Sequence, residues 1–301
     1  MSSPWIEALR SVALIVPDVE AATRFYTETW YLDVAARADG AVYLRGTGHD
    51  HHLLSLHPGQ QVALRAVTLR ARSVQALEDI AQAAVNAGGT LISPIGQISE
   101  PGGGVGLTVR DPDGRIFQVV HGDACHAEAH EAPDRPVRLA HVVLNAHEVA
   151  AAQAFLENAF NFRLADRTRI MAFMNCDRDH HSIALGDTDN DALNHIAFLM
   201  PDVDSVMRGG GRMRDAGYSI DWGPGRHGPG NNAFNYFVGP DGVVIEYTAE
   251  VEQIDSTYKV GGPEDWVWPP GRIDQWGISQ PPSARLKEAQ RAIEFIKENF
   301  Q

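Results

Sequence analysis

Three residues of this chain gain meaning from other parts of the same chain. His141, His195 and Glu246 stand where a matching stretch some 130 residues earlier carries Ser11, Ala66 and Gln118. Two neutral imidazoles and one carboxylate are the ligand set of a facial metal triad, which holds a divalent ion and leaves other coordination positions open. Taken singly, each residue reads as a hydrogen-bonded, half-buried polar group. Taken together, each in place of a poor ligand, they read as a metal site.

The matching stretches define the elements that must carry these side chains. Leu9-Arg10-Ser11-Val12-Ala13-Leu14 aligns with Leu139-Ala140-His141-Val142-Val143-Leu144, and the match runs on into Asp18–Tyr26 and Glu148–Leu156, so each copy begins strand, acidic turn, helix. Leu64–Leu69 aligns with Leu193–Phe198, which sets Ala66 against His195. Asp111-Pro112-Asp113-Gly114 and Gly239-Pro240-Asp241-Gly242 each introduce a β-rich run that ends on Gln118 or Glu246, a hairpin signal. The phrase Asp-His-His also occurs twice, at Asp50-His51-His52 and Asp179-His180-His181. Offsets drift only from 130 to 128, as small length changes in loops allow. An internal duplication follows. Each copy reads as strand, helix and about three strands. The expected fold is α+β, with tandem βαβββ modules in two domains: residues 1–130 without metal ligands, 131–250 with the metal site, and a C-terminal arm and helix, 251–301, over the pocket. That helix is expected to start after Ser283 as N-cap and to run through Leu286, Ala289, Ile293, Ile296 and Phe300.

Composition narrows the partners. With 25 basic and 39 acidic residues the net charge is −14, a surface that repels nucleic acid. No apolar run is long enough for a membrane span. The opening residues Met1-Ser2-Ser3-Pro4-Trp5-Ile6-Glu7 lack a signal-peptide pattern, and Cys125 and Cys176 are the only cysteines; both predict a cytoplasmic protein without a disulfide framework.

The second copy resembles the type I extradiol ring-cleaving dioxygenases of the vicinal oxygen chelate superfamily, closest in pattern to members acting on homoprotocatechuate and catechol. The resemblance in module order covers essentially the whole chain. Its most specific part is Gly225-Arg226-His227, Tyr236, Pro240-Asp241-Gly242 and Glu246; Asn235 and Gly239 depart from the family pattern. The resemblance implies iron(II), less often manganese(II), on His141, His195 and Glu246, with a catechol and dioxygen as reactants and a homo-oligomer as the assembly. It implies His181 as the catalytic histidine, with His227 and Tyr236 bonding substrate oxygens. His180, next to His181 on a strand, should face the other way.

Phe173, Asn175 and Trp222 are expected in the substrate pocket. Pro269–Gly277 resembles the segment that covers the pocket in homoprotocatechuate-type members, and its Arg272 is placed to meet a substrate carboxylate. Trp222 stands where some of those relatives carry a carboxylate-binding arginine, which favours a neutral or aromatic substituent. Two alternatives remain at this point: a non-oxidative isomerase or lyase of the same superfamily, a kind that often draws ligands from both modules, and a small-ligand binding protein.

Overall fold

A computed structural model describes residues 5–296. Two sheets with the same internal order account for most of it. The first domain runs β1 (Ile6–Val16), α1 (Val19–Arg24) with a further helical turn over Phe25–Thr29, β2 (Asp33–Ala38), β3 (Ala41–Arg45) and β4 (Leu54–Pro58), then β5 (Ala63–Ala71), α2 (Val74–Asn86), β6 (Thr90–Gln97), β7 (Val105–Arg110) and β8 (Ile116–His121). The second repeats it as β9 (Arg138–Ala146), α3 (Val149–Phe160), β10 (Arg163–Arg167), β11 (Met171–Asn175), β12 (Ile183–Asp187), β13 (Ala192–Leu199), α4 (Val203–Asp215), β14 (Trp222–Arg226), β15 (Ala233–Val238) and β16 (Val244–Ala249). A strand–helix–three-strand run therefore occurs twice in each domain, where the sequence suggested one.

The two runs of a domain meet at its middle. There β1 pairs antiparallel with β5, and β9 with β13, while β5–β8 and β13–β16 pair in parallel. Both Pro-Asp-Gly turns join antiparallel neighbours, β7 to β8 and β15 to β16. Because successive strand residues point to opposite faces, Val142 and Leu144 of β9, Ile196 and Phe198 of β13, and Ile245 and Tyr247 of β16 enter the main core under the helices. His141, His195 and Glu246 take the other parity and point to the concave face.

One continuous core joins the domains. Trp30 of the first, fully buried, stacks on Tyr247 of the second at 3.6 Å and 6°, and its carbonyl accepts the Tyr247 hydroxyl at 3.0 Å. An aromatic pair of this kind adds about 1 kcal/mol beyond area burial. Helix α4 carries Gly209-Gly210-Gly211 despite the poor helix propensity of glycine. At the first two the reason is close approach: a Cβ at Gly209 would lie 2.7 Å from the Tyr247 ring and one at Gly210 2.9 Å from Asn235 Nδ2.

The C-terminal segment departs from expectation. Its helix α5 (Ala284–Ala289) does begin at Ser283, whose Oγ accepts the Leu286 N–H, but it ends after six residues. Ile293–Glu294 then forms β17, paired antiparallel with Leu193 and Ala192 of β13. An unpaired stretch of β13 offers backbone hydrogen bonds that end the helix, and helical spacing of Leu286, Ala289 and Ile293 carries no sign of it. Ile296 binds the Leu64 carbonyl of the first domain, and Phe300 lies outside the described residues. No helix among the described residues is long and apolar enough to cross a membrane.

Candidate metal centre and its cavity

The duplicated central strands bring His141 (β9), His195 (β13) and Glu246 (β16) together: all three are buried, and their ligand atoms lie within 4.8 Å of one another. Glu246 Oε2 is 3.1 Å from His141 Nε2 and 3.2 Å from His195 Nε2. Burial alone would push the Glu246 carboxyl up, yet the neighbouring imidazoles, His141 first, hold it well below the usual carboxylate range. Burial pushes His195 down to about 4, against the pull of Glu246. At neutral pH the group is thus an ionised carboxylate beside a neutral imidazole, the protonation state that a metal site requires.

These contacts also test the fit of a cation. His195 Nδ1 lies 2.8 Å from Asn194 Oδ1, an acceptor, so Nδ1 bears the ring proton and Nε2 turns a lone pair toward Glu246 Oε2. Two acceptors 3.2 Å apart in a buried site repel unless a positive charge lies between them. A divalent ion bound by these three residues answers that charge requirement.

The other residues singled out by sequence are arranged around this group. His181 on the turn before β12 lines the same cavity, its ring 4.4 Å from that of His141. His180 faces the other way: its Nε2 meets Asp166 Oδ2 at 2.8 Å, and its Nδ1 lies 3.1 Å from His181 Nδ1. Asp166 is fully buried and also accepts the Tyr258 hydroxyl at 3.0 Å and the Gly261 N–H at 2.6 Å. With an uncharged His180 ring, Nε2 donates to the carboxylate, Nδ1 accepts, and His181 donates from Nδ1. The lone pair of His181 is left on Nε2. Burial, then His141 and His180, hold the His181 imidazole well below its usual value.

His227, at the end of the Gly225–His227 stretch, lies 3.0 Å from the Tyr236 hydroxyl, which is 3.4 Å from His195 Nε2. Burial and then Glu246 raise the Tyr236 phenol well above its usual value, so it is a proton donor at neutral pH. Phe234 stacks on the His227 ring at 4.0 Å and 20°.

Together these residues open on a cavity of about 580 Å³. Phe173 and Trp222 line it. Asn175 does not: its amide is buried and bonds the carbonyls of Asp177 at 3.0 Å and Asp179 at 2.6 Å, holding the turn that leads to His180. Arg272 does not either. It is exposed, folded over Gly277, and Ile273 lines the cavity in its place. The arm is set by other contacts: the Gln275 amide donates to the His227 carbonyl at 2.6 Å and to Asn231 Oδ1 at 3.0 Å, while Trp266 and Trp268 close over Gly228, where a Cβ would lie 2.5 Å from the Trp268 ring. Trp266, Trp268, Asn194 and Gln290 were not singled out by sequence. For the tryptophans the only signal was the aromatic, Pro-rich character of the arm.

Comparison with known proteins agrees with this architecture. A family model described as the Glyoxalase/Bleomycin resistance protein/Dioxygenase superfamily matches residues 8–119 and again 138–247. Metapyrocatechase 2 of Cupriavidus necator is 31% identical over 206 residues, 58% of this chain and 62% of that protein, so less than two thirds of that relative is matched. A manganese-dependent 2,3-dihydroxybiphenyl 1,2-dioxygenase of Geobacillus genomosp. 3 is 24% identical over 76% of this chain and 80% of that protein. Among solved structures, a Mn(II)-bound glyoxalase from Novosphingobium aromaticivorans superposes with a TM-score of 0.88 at 31% identity, covering 99% of this chain and 98% of that one. A variant of homoprotocatechuate 2,3-dioxygenase from Brevibacterium fuscum superposes at 0.81 with 24% identity, over 91% of this chain and 80% of that chain, a likeness of fold.

Proposed function

Since this chain belongs to the Glyoxalase/Bleomycin resistance protein/Dioxygenase superfamily, we propose that it is a metal-dependent extradiol dioxygenase, which opens a catecholic ring beside its two hydroxyls and places both atoms of dioxygen in the product. The observation that carries the reading is the complete triad in one domain, His141, His195 and Glu246, facing a cavity that also presents His181, His227 and Tyr236. Iron(II) or manganese(II) on the triad would lower the pKa of the catechol hydroxyls and let ring and dioxygen share electron density.

The chain's own residues supply binding and proton traffic. Tyr236 and His227 form a hydrogen-bonded pair beside Glu246 that orients a substrate oxygen. His181, with its Nε2 lone pair free and its Nδ1–H tied through His180 to Asp166, takes a proton and returns it, because charge on its ring is met by the Asp166 carboxylate. Trp266, Trp268 and Ile273 keep water from the cavity. The walls formed by Phe173, Ile170, Met171 and Trp222 suit a neutral or aromatic ring substituent.

A second reading has one observation in its favour, the similarity to a structure described as a glyoxalase. A non-oxidative enzyme of the superfamily would be expected to draw ligands from both domains, whereas Ser11, Ala66 and Gln118 offer no good one. The test is direct. Iron- or manganese-loaded protein is mixed anaerobically with a panel of substituted catechols and then exposed to air. Oxygen uptake with a yellow ring-opened product is expected; silence with every catechol, together with isomerisation of a thiol–aldehyde adduct, would favour the second reading.

A further inference from the structure

The strand that carries His195 holds an irregularity with a purpose. Between Leu193 and His195 the pairing of β13 with β9 slips by one residue, a bulge. Without it, Asn194 would point to the face opposite His195. With it, the Asn194 side chain turns to the same side and its Oδ1 meets His195 Nδ1 at 2.8 Å.

Asn194 is itself held by two more amides. Its Nδ2 donates to Asn145 Oδ1 at 2.8 Å, the Asn145 amide donates to the Gln290 carbonyl at 2.9 Å, and Gln290 Nε2 donates to Asn194 Oδ1 at 3.0 Å. The backbone carbonyl of Gln290 decides every proton in this ring, because a carbonyl can only accept. Asn145 must therefore present Nδ2 to it and Oδ1 to Asn194. Asn194 must then present Nδ2 to Asn145 and Oδ1 to both Gln290 Nε2 and His195. A flipped Asn194 would set oxygen against oxygen at Asn145 and nitrogen against nitrogen at Gln290. The ring thus imposes Nδ1–H on His195 and aims the Nε2 lone pair into the triad.

The first domain supplies a contrast. The pairing of β1 with β5 carries the same slip, between Ala13 and Leu14, so the bulge belongs to the scaffold. Yet Arg65 occupies the place of Asn194 and Ile15 the place of Asn145. The amides accompany the ligand histidine, not the bulge.

We propose that Asn145, Asn194 and Gln290 form a positioning network that locks the tautomer and orientation of His195 for metal binding, making the C-terminal segment a structural part of the metal centre. It rests on the metal-centre reading above. A ligand histidine whose second nitrogen is held in this way binds metal more tightly, and loss of the partner costs about 10- to 100-fold in affinity.

Manganese(II) alone is the probe, so no substrate is needed. Its affinity for the full-length protein is read by competition with a chromophoric chelator, alongside its electron paramagnetic resonance line shape and the Tm of the metal-free protein. Asn194→Ala should weaken Mn(II) by about 10- to 100-fold and change the line shape. Asn194→Asp, which keeps the acceptor for Nδ1–H but sets an oxygen against Asn145 Oδ1, should return part of that affinity. Gln290→Met, at a half-buried position at the end of α5, should give a smaller loss in the same direction and remains informative if Asn194→Ala does not fold. Equal Mn(II) affinity in folded Asn194→Ala and Gln290→Met would overturn the network, as would equal weakness in Asn194→Ala and Asn194→Asp. Failure of the unsubstituted protein to bind Mn(II) would overturn the metal centre and the network together.

Discussion

The twice-written Asp-His-His phrase gives the same local geometry in both domains. His51 and His52 have ring centroids 5.3 Å apart at 85° with Nδ1 atoms 3.0 Å apart; His180 and His181 have 5.3 Å, 85° and 3.1 Å. The surroundings differ. In the second domain the pair runs from the Asp166 carboxylate to a cavity. In the first, His51 stacks on His126 at 5.7 Å, and His52 is buried against the Arg10 guanidinium. Arg10 also donates to Ser11, the counterpart of His141, and pairs with the buried Asp123. Ala13 and Ala66 are packed with Ile116 and with Ile296 of the C-terminal segment. A protein cation and an aliphatic plug thus fill what the second domain leaves open. Duplication preserved the scaffold down to the histidine pair, and the chemistry was decided by what each concave face admits.

The largest effect that would break this contrast lies at the carboxylate. Glu246→Ala should take bound metal from about one ion per chain to none, since two imidazoles alone hold a divalent ion poorly. Gln118→Ala, its counterpart, should leave metal content unchanged by elemental analysis. Metal loss from both would mean that the first domain contributes to the centre. Next comes the matched histidine pair. His181→Ala should keep the metal and lower kcat by about 10²- to 10⁴-fold, the usual worth of a general acid–base group, whereas His52→Ala should leave turnover intact. Unchanged turnover in His181→Ala would remove it from the mechanism.

How much of this was legible in the sequence follows from which interactions are periodic. His141, His195 and Glu246 could be read because duplication supplied an internal control and strand parity fixed their face. His180 was expected to diverge from His181 as a strand neighbour; the two rings do diverge, but on the turn before β12, where the Asp166 carboxylate rather than strand parity holds His180 away from the cavity. Asn194 could not, since a bulge reverses parity and leaves no mark in residue type. Gln290 looked like one more helical position, because β17 forms only where β13 has free backbone groups. Arg272 looked like a substrate contact because its charge is visible in sequence, while the course of the arm is set by Gln275, Trp266 and Trp268 packing on a loop far away in the chain. Asn175 ends the strand that carries Phe173, but the tight turn after it captures its amide, which residue type alone does not show.

The smallest expected effect treats the two domains alike. In metal-free protein, burial is the main force holding both His52 and His181 well below the usual imidazole value, with Arg10 adding to it at His52 and His141 at His181. An unfolded chain protonates these rings as pH falls below about 6.5, and the folded chain does so only at much lower pH. Stability is therefore complete above about pH 6.5 and is lost as pH falls, because the unfolded state binds more protons. His195, pushed down to about 4, acts in the same direction and contributes roughly 3 kcal/mol of that loss by pH 4. Asp177 opposes it: burial raises its carboxyl to about 6, so the folded chain takes up that proton first and regains a comparable amount. With those two offset, the matched pair carries part of the acid limb beside Glu246, whose depressed carboxyl acts in the same direction, and half-buried His57 in the first domain, at about 4, adds a share reduced by solvent screening. Urea unfolding at pH 7 and at about pH 4.5 should show His52→Gln and His181→Gln flattening the limb to a similar degree, although only the second substitution touches turnover. Flattening by His181→Gln alone would mean that the first-domain pair is not buried neutral like its counterpart, and that the common geometry conceals different protonation.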